Sequence, residues 1–288
     1  MSARPGILIT GATDGIGQLA ALELARRGAH LILTARSETK ADQTCAAIEA
    51  VAPGTPVDVH FVNLSDLAAV VKTGKAIAAQ HPHIDVLINN AGLHAFEQRV
   101  TRDGYAEMIA VNYFAPWLLT DTLRETLVHS APSCIVTVGS EASRQSGGLD
   151  IEKDLLDITP FTARGSSRIY GRTKLLDIMF SLELARQLDG TGATAKCLCP
   201  GFNVTGLGRE LSFARPLTKL LNWLGIGNPE RGAGGIVRLA TDPAFGKQTG
   251  AYVSAKNARP LTPVAPADNE EARRQLWEKT TETLSRFR

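Results

Sequence analysis

Tyr170 and Lys174 form a pair of side chains that together can move a proton. In Tyr170-Gly171-Arg172-Thr173-Lys174 they stand four residues apart, so a helix places the phenol and the ammonium on one face. A phenol with its ordinary pKa of about 10 is a poor proton donor or acceptor at neutral pH. A neighbouring ammonium stabilises the phenolate and lowers that pKa. The pair therefore predicts general acid/base chemistry at the oxygen of a carbonyl or a hydroxyl group.

A glycine-rich turn supplies a second chemical signal near the start of the chain. The stretch TGATDGIG, residues 10–17, follows an apolar run and leads into a helical pattern. Glycines at 11, 15 and 17 let the backbone turn tightly and approach a phosphate, and the helix that follows offers N–H groups and a positive dipole end. The spacing is G-x-x-x-G-x-G rather than G-x-G-x-x-G. Taken alone, the turn is either a phosphate-binding loop or a plain strand-to-helix connection.

Further polar motifs stand where other strand-like runs end. These are Asn89-Asn90-Ala91-Gly92, then Ser140, and then Pro200-Gly201 with Thr205 shortly after. Ligands of open parallel sheets bind beyond the carboxyl ends of the strands. We therefore expect all of these motifs to converge on one crevice together with the glycine turn.

The elements that must position these motifs alternate along the chain. Strand-like runs occur at 7–10, 31–34, 57–62, 86–89, 135–139, 194–199 and 252–254. Helical patterns occupy about 17–27, 38–51, 66–80, 102–129, 168–188 and 229–241. This alternation, with short strands that are apolar on both faces, predicts an α/β fold: a single-domain, Rossmann-like, doubly wound parallel sheet of about seven strands with helices on both faces.

The chain is long enough to form one large domain. It has 288 residues, 44% of them hydrophobic, and α/β folds of this size are often undivided. We assign residues 1–256 to a nucleotide-binding catalytic domain. Residues 257–288 form a C-terminal tail, with a helical pattern over 270–286, that either belongs to the same domain or contacts another subunit.

Composition argues against nucleic acid and membrane partners. The net charge is only +2, no apolar run reaches the ~18 residues of a membrane span, and the N-terminus lacks the regions of a signal peptide. We expect a cytoplasmic protein with a small-molecule substrate.

The cysteines and histidines predict no metal site. Cys197 and Cys199 share one face of a predicted strand, but no further Cys or His cluster has suitable spacing, so they are interpreted as small buried hydrophobic residues. His81, His83 and His94 lie near predicted loops and are interpreted as solvated or structural.

The ordered set of motifs resembles the short-chain dehydrogenase/reductase family over about residues 5–256, and within it the retinol-dehydrogenase-like and protochlorophyllide-reductase-like branches. The resemblance implies that Tyr170 is the general acid/base while hydride is transferred. Lys174 would lower its pKa and bind the nicotinamide ribose, and Ser140 would orient and polarise the substrate oxygen. Asn112 matches a position that holds a water next to the lysine; alternatively, its amide satisfies a local helix kink.

One departure from the family concerns the interval between Ser140 and Tyr170, which is longer than is common. An insert at about 145–166 (QSGGLDIEKDLLDITPFTARGS) accounts for it. The insert either borders the substrate mouth or is an inert surface loop.

Cofactor preference is read at the end of the second strand, where an acidic residue favours NAD(H) and a basic one NADP(H). Thr34-Ala35-Arg36-Ser37 offers no carboxylate, and Arg36 and Ser37 are suited to a 2′-phosphate, so NADP(H) is favoured over NAD(H). Two features oppose this reading: Glu38 comes next, and Arg36 has the alternative role of stacking on adenine. The resemblance implies the following cofactor-binding set: Gly11, Thr13, Gly15, Ile16, Gly17, Arg36, Ser37, Asn63, Leu64, Asn90, Ala91, Gly92, Tyr170, Lys174, Pro200, Gly201 and Thr205. Asp14 is expected to brace the glycine turn.

The segment 202–228 follows Pro200-Gly201, where the family carries its substrate loop. Leu217, Leu220, Leu221 and Leu224 recur at helical spacing and form either a core helix or a lid over an apolar substrate. The sequence thus predicts an NADP(H)-dependent oxidoreductase that interconverts a carbonyl and an alcohol on a bulky or lipophilic compound. Alternatives are a non-catalytic NADP(H)-binding regulator and a C=C reductase using the same site. Many family members pair through the helices that correspond to about 102–129 and 168–188, so a homo-oligomer is one alternative for this chain.

Overall fold

Seven strands form one parallel sheet in the computed structural model, which describes residues 4–201 and 228–288. The strands are β1 (Gly6–Thr10), β2 (His30–Ala35), β3 (Val57–Phe61), β4 (Val86–Asn89), β5 (Cys134–Val138), β6 (Thr194–Cys199) and β7 (Ala251–Ser254). Their order is β3-β2-β1-β4-β5-β6-β7, and every pairing is parallel. The predicted doubly wound sheet is confirmed. Thr205 and the predicted substrate segment, apart from Asn228, lie outside the described residues.

Helices cover both faces of the sheet and complete two apolar cores. They are α1 (Gly15–Arg26), α2 (Glu38–Val51), α3 (Leu67–Gln80), α4 (Glu107–Ile109), α5 (Ala115–Thr122), α6 (Arg124–His129), α7 (Ile151–Asp154), α8 (Ala163–Gln187), α9 (Pro229–Thr241) and α10 (Glu270–Leu284). The chain reverses direction across the sheet between β1 and β4, and such a switch point opens a crevice at the carboxyl ends of the strands. Within the described ranges, no helix is long and apolar enough to cross a membrane.

The predicted helix 102–129 is interrupted in the structure. A π-helical turn, Ala110–Phe114, separates α4 from α5, and α5 ends at Thr122 before α6 begins. Apolar periodicity cannot reveal one extra residue in a turn. The π turn carries Asn112, whose amide bonds outside its own helix, and such turns often occur at functional sites.

The insert between β5 and α8 is anchored to α8. It contains a 3₁₀ helix, Glu141–Gln145, and the short α7, and α8 itself begins at Ala163 rather than at the predicted residue 168. An ion pair of 2.7 Å joins Asp154 to Arg172, and both side chains are almost buried. Leu155 is fully buried beside them. The insert is therefore a packed part of the domain.

The C-terminal tail also packs on the main core. In α10 the ring of Trp277 stacks on Phe180 of α8, with centroids 6.0 Å apart. The hydroxyl of Thr280 lies 2.7 Å from that of Tyr113, and both groups are buried. The tail thus covers the layer formed by α5 and α8.

Candidate active site

A cavity of about 790 Å³ opens at the carboxyl ends of the strands. It is lined by the residues predicted to bind a cofactor, Thr205 excepted, and by Ser140. The structure therefore brings together groups at or just beyond the carboxyl ends of β1 to β6 and groups of α8.

The glycine turn leaves no room for side chains. Gly11 and Gly15 have φ angles of +67° and +55°, which side-chain-bearing residues rarely adopt. A Cβ on Gly17 would overlap the carbonyl oxygen of Gly11 and the amide nitrogen of Asn90. Asn90 Nδ2 donates to the carbonyl oxygens of Thr10 (2.9 Å) and Gly11 (3.2 Å), so this predicted cofactor residue braces the turn. The result is a bare backbone cradle at the N-terminus of α1, which fits a pyrophosphate.

Thr10, at the last position of β1, holds the two halves of this cradle together. Its hydroxyl accepts N–H groups from Asn90 and Ala91, each at 3.0 Å, and lies 3.4 Å from the carbonyl oxygen of Ile88. The turn after β1 is thereby tied to the end of β4. Sequence reasoning treated Thr10 only as part of the motif.

The adenosine end of the cavity carries two cationic side chains. Arg36 is exposed on the cavity wall, and Lys40, which sequence reasoning missed, lines the same wall. The Ser37 hydroxyl accepts the backbone N–H of Lys40 at 3.4 Å and so caps α2. Asp14 lies 2.9 Å from Lys40 Nζ, an ion pair that links the glycine turn to α2. Glu38 is not among the cavity-lining residues of the described chain.

Asn63 and Leu64 line the cavity beyond the end of β3. Asn63 Oδ1 accepts the backbone N–H and the hydroxyl of Ser65, at 3.2 and 3.0 Å, so this oxygen shapes the loop. Pro200 and Gly201, with φ +78° at the glycine, form another part of the wall.

Tyr170 and Lys174 lie on one face of α8, as their spacing predicts. Lys174 is almost completely buried, and its Nζ donates to the carbonyl oxygen of Val138 (2.9 Å) and to Oδ2 of Asp177 (2.8 Å). The Nζ is 5.9 Å from the centre of the Tyr170 ring. Asp177, one turn further along α8, is the buried partner that sequence reasoning missed, although the spacing of three residues from Lys174 is a visible signal.

Asn112 fixes the loop after β4 against α8. Its Oδ1 accepts the N–H of Leu93 (2.8 Å), and its Nδ2 donates to the carbonyl oxygen of Leu93 (2.9 Å) and to Thr173 (3.0 Å). A Cβ on Gly92 would lie 3.5 Å from Asn112 Oδ1 and 3.6 Å from Lys174 Nζ. The Asn112 amide and the Lys174 ammonium therefore both lie next to Gly92. All three bonds lead out of the π turn, so within the described residues the Asn112 amide joins the loop to α8 rather than satisfying the kink.

Ser140 and Tyr170 line the same cavity, because the 3₁₀ helix that follows Ser140 packs closely against α8. Ser140 caps the 3₁₀ helix by accepting the N–H of Ala142 at 3.1 Å. A Cβ on Gly171 would lie 2.5 Å from the carbonyl oxygen of Ala142, so only glycine allows α8 to approach the 3₁₀ helix this closely. Gly171 was not predicted as a site residue, although it stands inside the Tyr170–Lys174 motif.

The electrostatics of the site differ in one respect from the sequence expectation. Desolvation raises the pKa of Tyr170 above its ordinary value of 10; Lys174 lowers it and Asp177 raises it, and the net direction is upward. Burial alone would lower the pKa of Lys174, but the Asp177 and Tyr170 charges outweigh it and raise the pKa to about 12. Burial raises the pKa of the Asp177 carboxyl, against the opposing effect of Lys174. The phenol is therefore protonated and the ammonium charged at neutral pH.

His94, which the sequence analysis interprets as solvated or structural, lines the cavity. Its ring stacks on Tyr170, with centroids 4.7 Å apart and an interplanar angle of 13°, and Phe96 lies on the same ring at 4.7 Å. Its Nε2 is 3.0 Å from the Ser166 hydroxyl at the end of the insert. Gln145 also lines the cavity, so the insert borders it at this point. No spacing in the sequence connects positions 94 and 170.

The sheet, the bare glycine cradle and the pairing of the cavity-lining Tyr170 with the buried Lys174 define a dinucleotide-binding oxidoreductase. Residues 6–149 match the short chain dehydrogenase family. Retinol dehydrogenase 14 from Mus musculus is 34% identical over 94% of this chain and 83% of its own length. A crystal structure of a protein from Mycobacterium paratuberculosis superposes with a TM-score of 0.75 at 26% identity, covering 98% of this chain and 94% of that one. The RhlG protein of Pseudomonas aeruginosa, in an active-site complex with NADP, superposes with a TM-score of 0.68 at 22% identity over 88% of this chain and 95% of its own.

This chain belongs to the short-chain dehydrogenase/reductase family, in its retinol-dehydrogenase-like branch, and is an NAD(P)-dependent oxidoreductase.

Proposed function

We propose that this enzyme interconverts a carbonyl and an alcohol on a bulky lipophilic compound, with NADP(H) as cofactor and Tyr170 as the general acid/base. The proposal rests on the arrangement on α8. Tyr170 lines the cavity, and Lys174 lies one turn further along the helix in a buried ion pair with Asp177. A phenol so placed can exchange a proton with a substrate oxygen in the cavity.

The residues that would hold the cofactor fit it. The cradle of Gly11, Gly15 and Gly17 would bind the pyrophosphate at the N-terminus of α1, and Arg36 with Lys40 would bind the adenosine 2′-phosphate. Nicotinamide supplies or accepts the hydride when it is bound. Among the described residues two oxygens accept from Lys174 Nζ, which leaves one N–H donor for the nicotinamide ribose.

Side chains of the protein transfer the proton and orient the substrate oxygen. In reduction, Tyr170 donates its phenolic proton to the developing alkoxide, and the Ser140 hydroxyl orients that oxygen. In oxidation, Tyr170 must first lose its proton. Because desolvation raises the pKa of Tyr170, the protonated form prevails at neutral pH and favours carbonyl reduction there, while oxidation gains as the pH rises.

The cofactor preference rests on the charge at the end of β2. Arg36 and Lys40 line the cavity, and Glu38 does not. We expect NADP(H) to raise the melting temperature more than NAD(H) at matched concentrations, since selective binding stabilises the native state. Arg36→Ala should remove most of that difference, whereas Arg26→Ala, which changes an exposed arginine at the far end of α1, should leave it intact. Equal shifts for both cofactors in the wild type would refute the preference.

The proposed substrate class rests on the family branch and on the wall of the cavity. The relative from Mus musculus is named for retinol, a lipophilic alcohol. Leu93, Val111 and the stacked rings of His94 and Tyr170 give this part of the cavity apolar and aromatic surface. Such surface favours binding of an extended apolar chain or ring.

The test is NADPH consumption with a panel of retinaldehyde, aromatic aldehydes and short polar aldehydes, with product analysis to separate carbonyl from C=C reduction. We expect the highest kcat/KM for the bulky apolar members and alcohol as product.

Tyr170→Phe should lower kcat by roughly 10³-fold. The matched control is Tyr113→Phe, which removes a buried hydroxyl bonded to Thr280 and should cost about 1 kcal/mol of stability without changing kcat. Unchanged turnover in Tyr170→Phe would exclude the proposed role.

A further inference from the structure

Three side chains with metal-binding atoms meet at the amino ends of β2 and β3. His30 is the first residue of β2, Asp58 is in β3, and His81 caps the C-terminus of α3. The two strands pair in parallel, and α3 packs in the same apolar core as Ile32, the residue opposite Asp58, so residues far apart in the sequence become neighbours. Their nitrogen and carboxylate oxygen atoms all lie within 4.8 Å of one another.

Two of the separations between these ligand atoms are close to those expected when both atoms bind one cation. His30 Nε2 lies 2.6 Å from Asp58 Oδ2, and His81 Nε2 lies 3.8 Å from the same oxygen. Zinc binds nitrogen and oxygen at about 2.0–2.1 Å, so neighbouring ligands of a tetrahedral ion are about 3.3 Å apart. One distance is shorter than this and the other longer. These two pairs depart from that spacing by less than 1 Å, while the imidazole nitrogens of His30 and His81, which lie within 4.8 Å of each other, would have to move closer on binding.

His81 shows that the cluster is incomplete without a ligand. The side chain is 8% exposed, and its Nε2 is buried with no hydrogen-bond partner among the described residues, although it faces Asp58. A buried polar atom left unpaired costs free energy, so such an atom calls for a partner. An imidazole nitrogen of this kind offers its lone pair to a metal ion.

The rest of the cluster gives an ion access. The side chains of His30 and Asp58 are 30% and 37% exposed, so the open side of the cluster faces solvent. The four cysteines do not contribute ligands to it. Two imidazoles and one carboxylate, with a position left for water, are the donor set that divalent transition metals such as Zn²⁺ accept.

We propose that His30, Asp58 and His81 bind one divalent transition-metal ion of the Zn²⁺ class, which ties the amino ends of β2 and β3 to the end of α3. The site is distinct from the catalytic cavity: Arg36 stands six residues along from His30, roughly 20 Å away in an extended strand. The ion therefore stabilises the fold and takes no part in hydride transfer.

The experiment is isothermal titration of the tag-free, chelator-treated protein with ZnCl₂, together with thermal unfolding with and without the ion. We expect one ion per chain and a rise in melting temperature at saturating zinc. His81→Gln should bind zinc at least tenfold more weakly and lose the thermal shift, and so should Asp58→Asn. Titration with CoCl₂ gives a second readout, because ligand-field absorption reports tetrahedral coordination.

The matched control is His83→Gln. His83 stands two residues from His81, but it is 62% exposed and pairs with Asp85 at 3.1 Å, outside the cluster. Its removal should leave both binding and the thermal shift unchanged. Circular dichroism of each variant without metal establishes that it is folded. The proposal is overturned if the wild type shows no saturable binding, if His81→Gln and Asp58→Asn bind as the wild type does, or if His83→Gln abolishes binding equally.

Discussion

At the carboxyl ends of the strands, the chain around the cavity is packed so closely that a methyl group does not fit at Gly17 or Gly171. At the amino ends of β2 and β3, by contrast, His30 and Asp58 remain about one third exposed, and small side-chain movements would change how they meet. One sheet therefore carries a rigid site at one end and an adaptable cluster at the other.

The difference follows from how each region is assembled. The catalytic end is built from short continuous motifs whose backbone is fixed by hydrogen bonds, such as those from Asn90 to the glycine turn. Rigid backbone geometry places reacting groups accurately, which hydride and proton transfer require. The histidine cluster is built from side chains on three separate elements. Among the described residues one side-chain hydrogen bond, between His30 and Asp58, joins these side chains, and a bound ion would supply the missing constraint.

Among the variants that test this comparison between the two ends of the sheet, Gly17→Ala is expected to have the largest effect, because it overfills the cradle. The new Cβ overlaps the Gly11 carbonyl oxygen and Asn90, so the turn must open, and NADPH binding should weaken by roughly 100-fold in fluorescence titrations. Gly234→Ala is the matched control, since an added Cβ on that exposed position of α9 meets nothing within 4 Å. A Gly17→Ala protein that binds NADPH normally would show that the cradle is as adaptable as the opposite end.

A smaller loss is expected from Gly171→Ala, which pushes α8 away from the 3₁₀ helix. Its Cβ would lie 2.5 Å from the Ala142 carbonyl oxygen, so Tyr170 and Ser140 should move relative to each other. We expect kcat to fall by about 10- to 100-fold in steady-state assays while the Kd for NADPH stays nearly constant. Gly165→Ala near the start of α8 places its Cβ at an ordinary 3.5 Å from Phe161 and should leave kcat unaltered. Parallel losses of kcat and NADPH affinity in Gly171→Ala would point to general unfolding.

Asp177→Asn tests the charge behind the proposed catalytic pair, Tyr170 and Lys174, by a shift in the pH dependence of turnover. The Asp177 carboxylate raises the pKa of Tyr170, so its removal should lower that pKa. Alcohol oxidation needs the phenolate, and the rising limb of its pH–rate profile should therefore move to lower pH. The control is Asp121→Asn, which removes a carboxylate paired with Arg288 on the surface. A profile with the wild-type midpoint would mean that Tyr170 does not sense Asp177.

The smallest effect belongs to the opposite end of the sheet. Without metal, His30→Gln removes a partly exposed pair with Asp58 and should change the free energy of unfolding by less than about 1 kcal/mol in urea titrations with chelator present. With zinc, the same variant should lose the thermal shift of the wild type. A large loss of stability without metal would instead make the His30–Asp58 contact a structural bond in its own right.

The amino-acid sequence determined the sheet, its seven strands and the order of the motifs around the cavity. Alternating apolar runs specify strands and helices locally, and the chain can bury both faces of such strands only in a parallel sheet covered by helices. The glycine turn and the Tyr170–Lys174 pair were equally visible, because each lies within one turn of a single element.

Contacts between distant segments were decided by the tertiary structure alone. The stacking of His94 on Tyr170, the position of Lys40 beside Asp14 and the meeting of His30, Asp58 and His81 each join separate elements. The π turn at Asn112 and the buried charge of Asp177 belong here too, since burial and hydrogen-bond partners set them. Spacing along the chain carries information about neighbours within an element, whereas these neighbours exist only once the sheet and helices have packed.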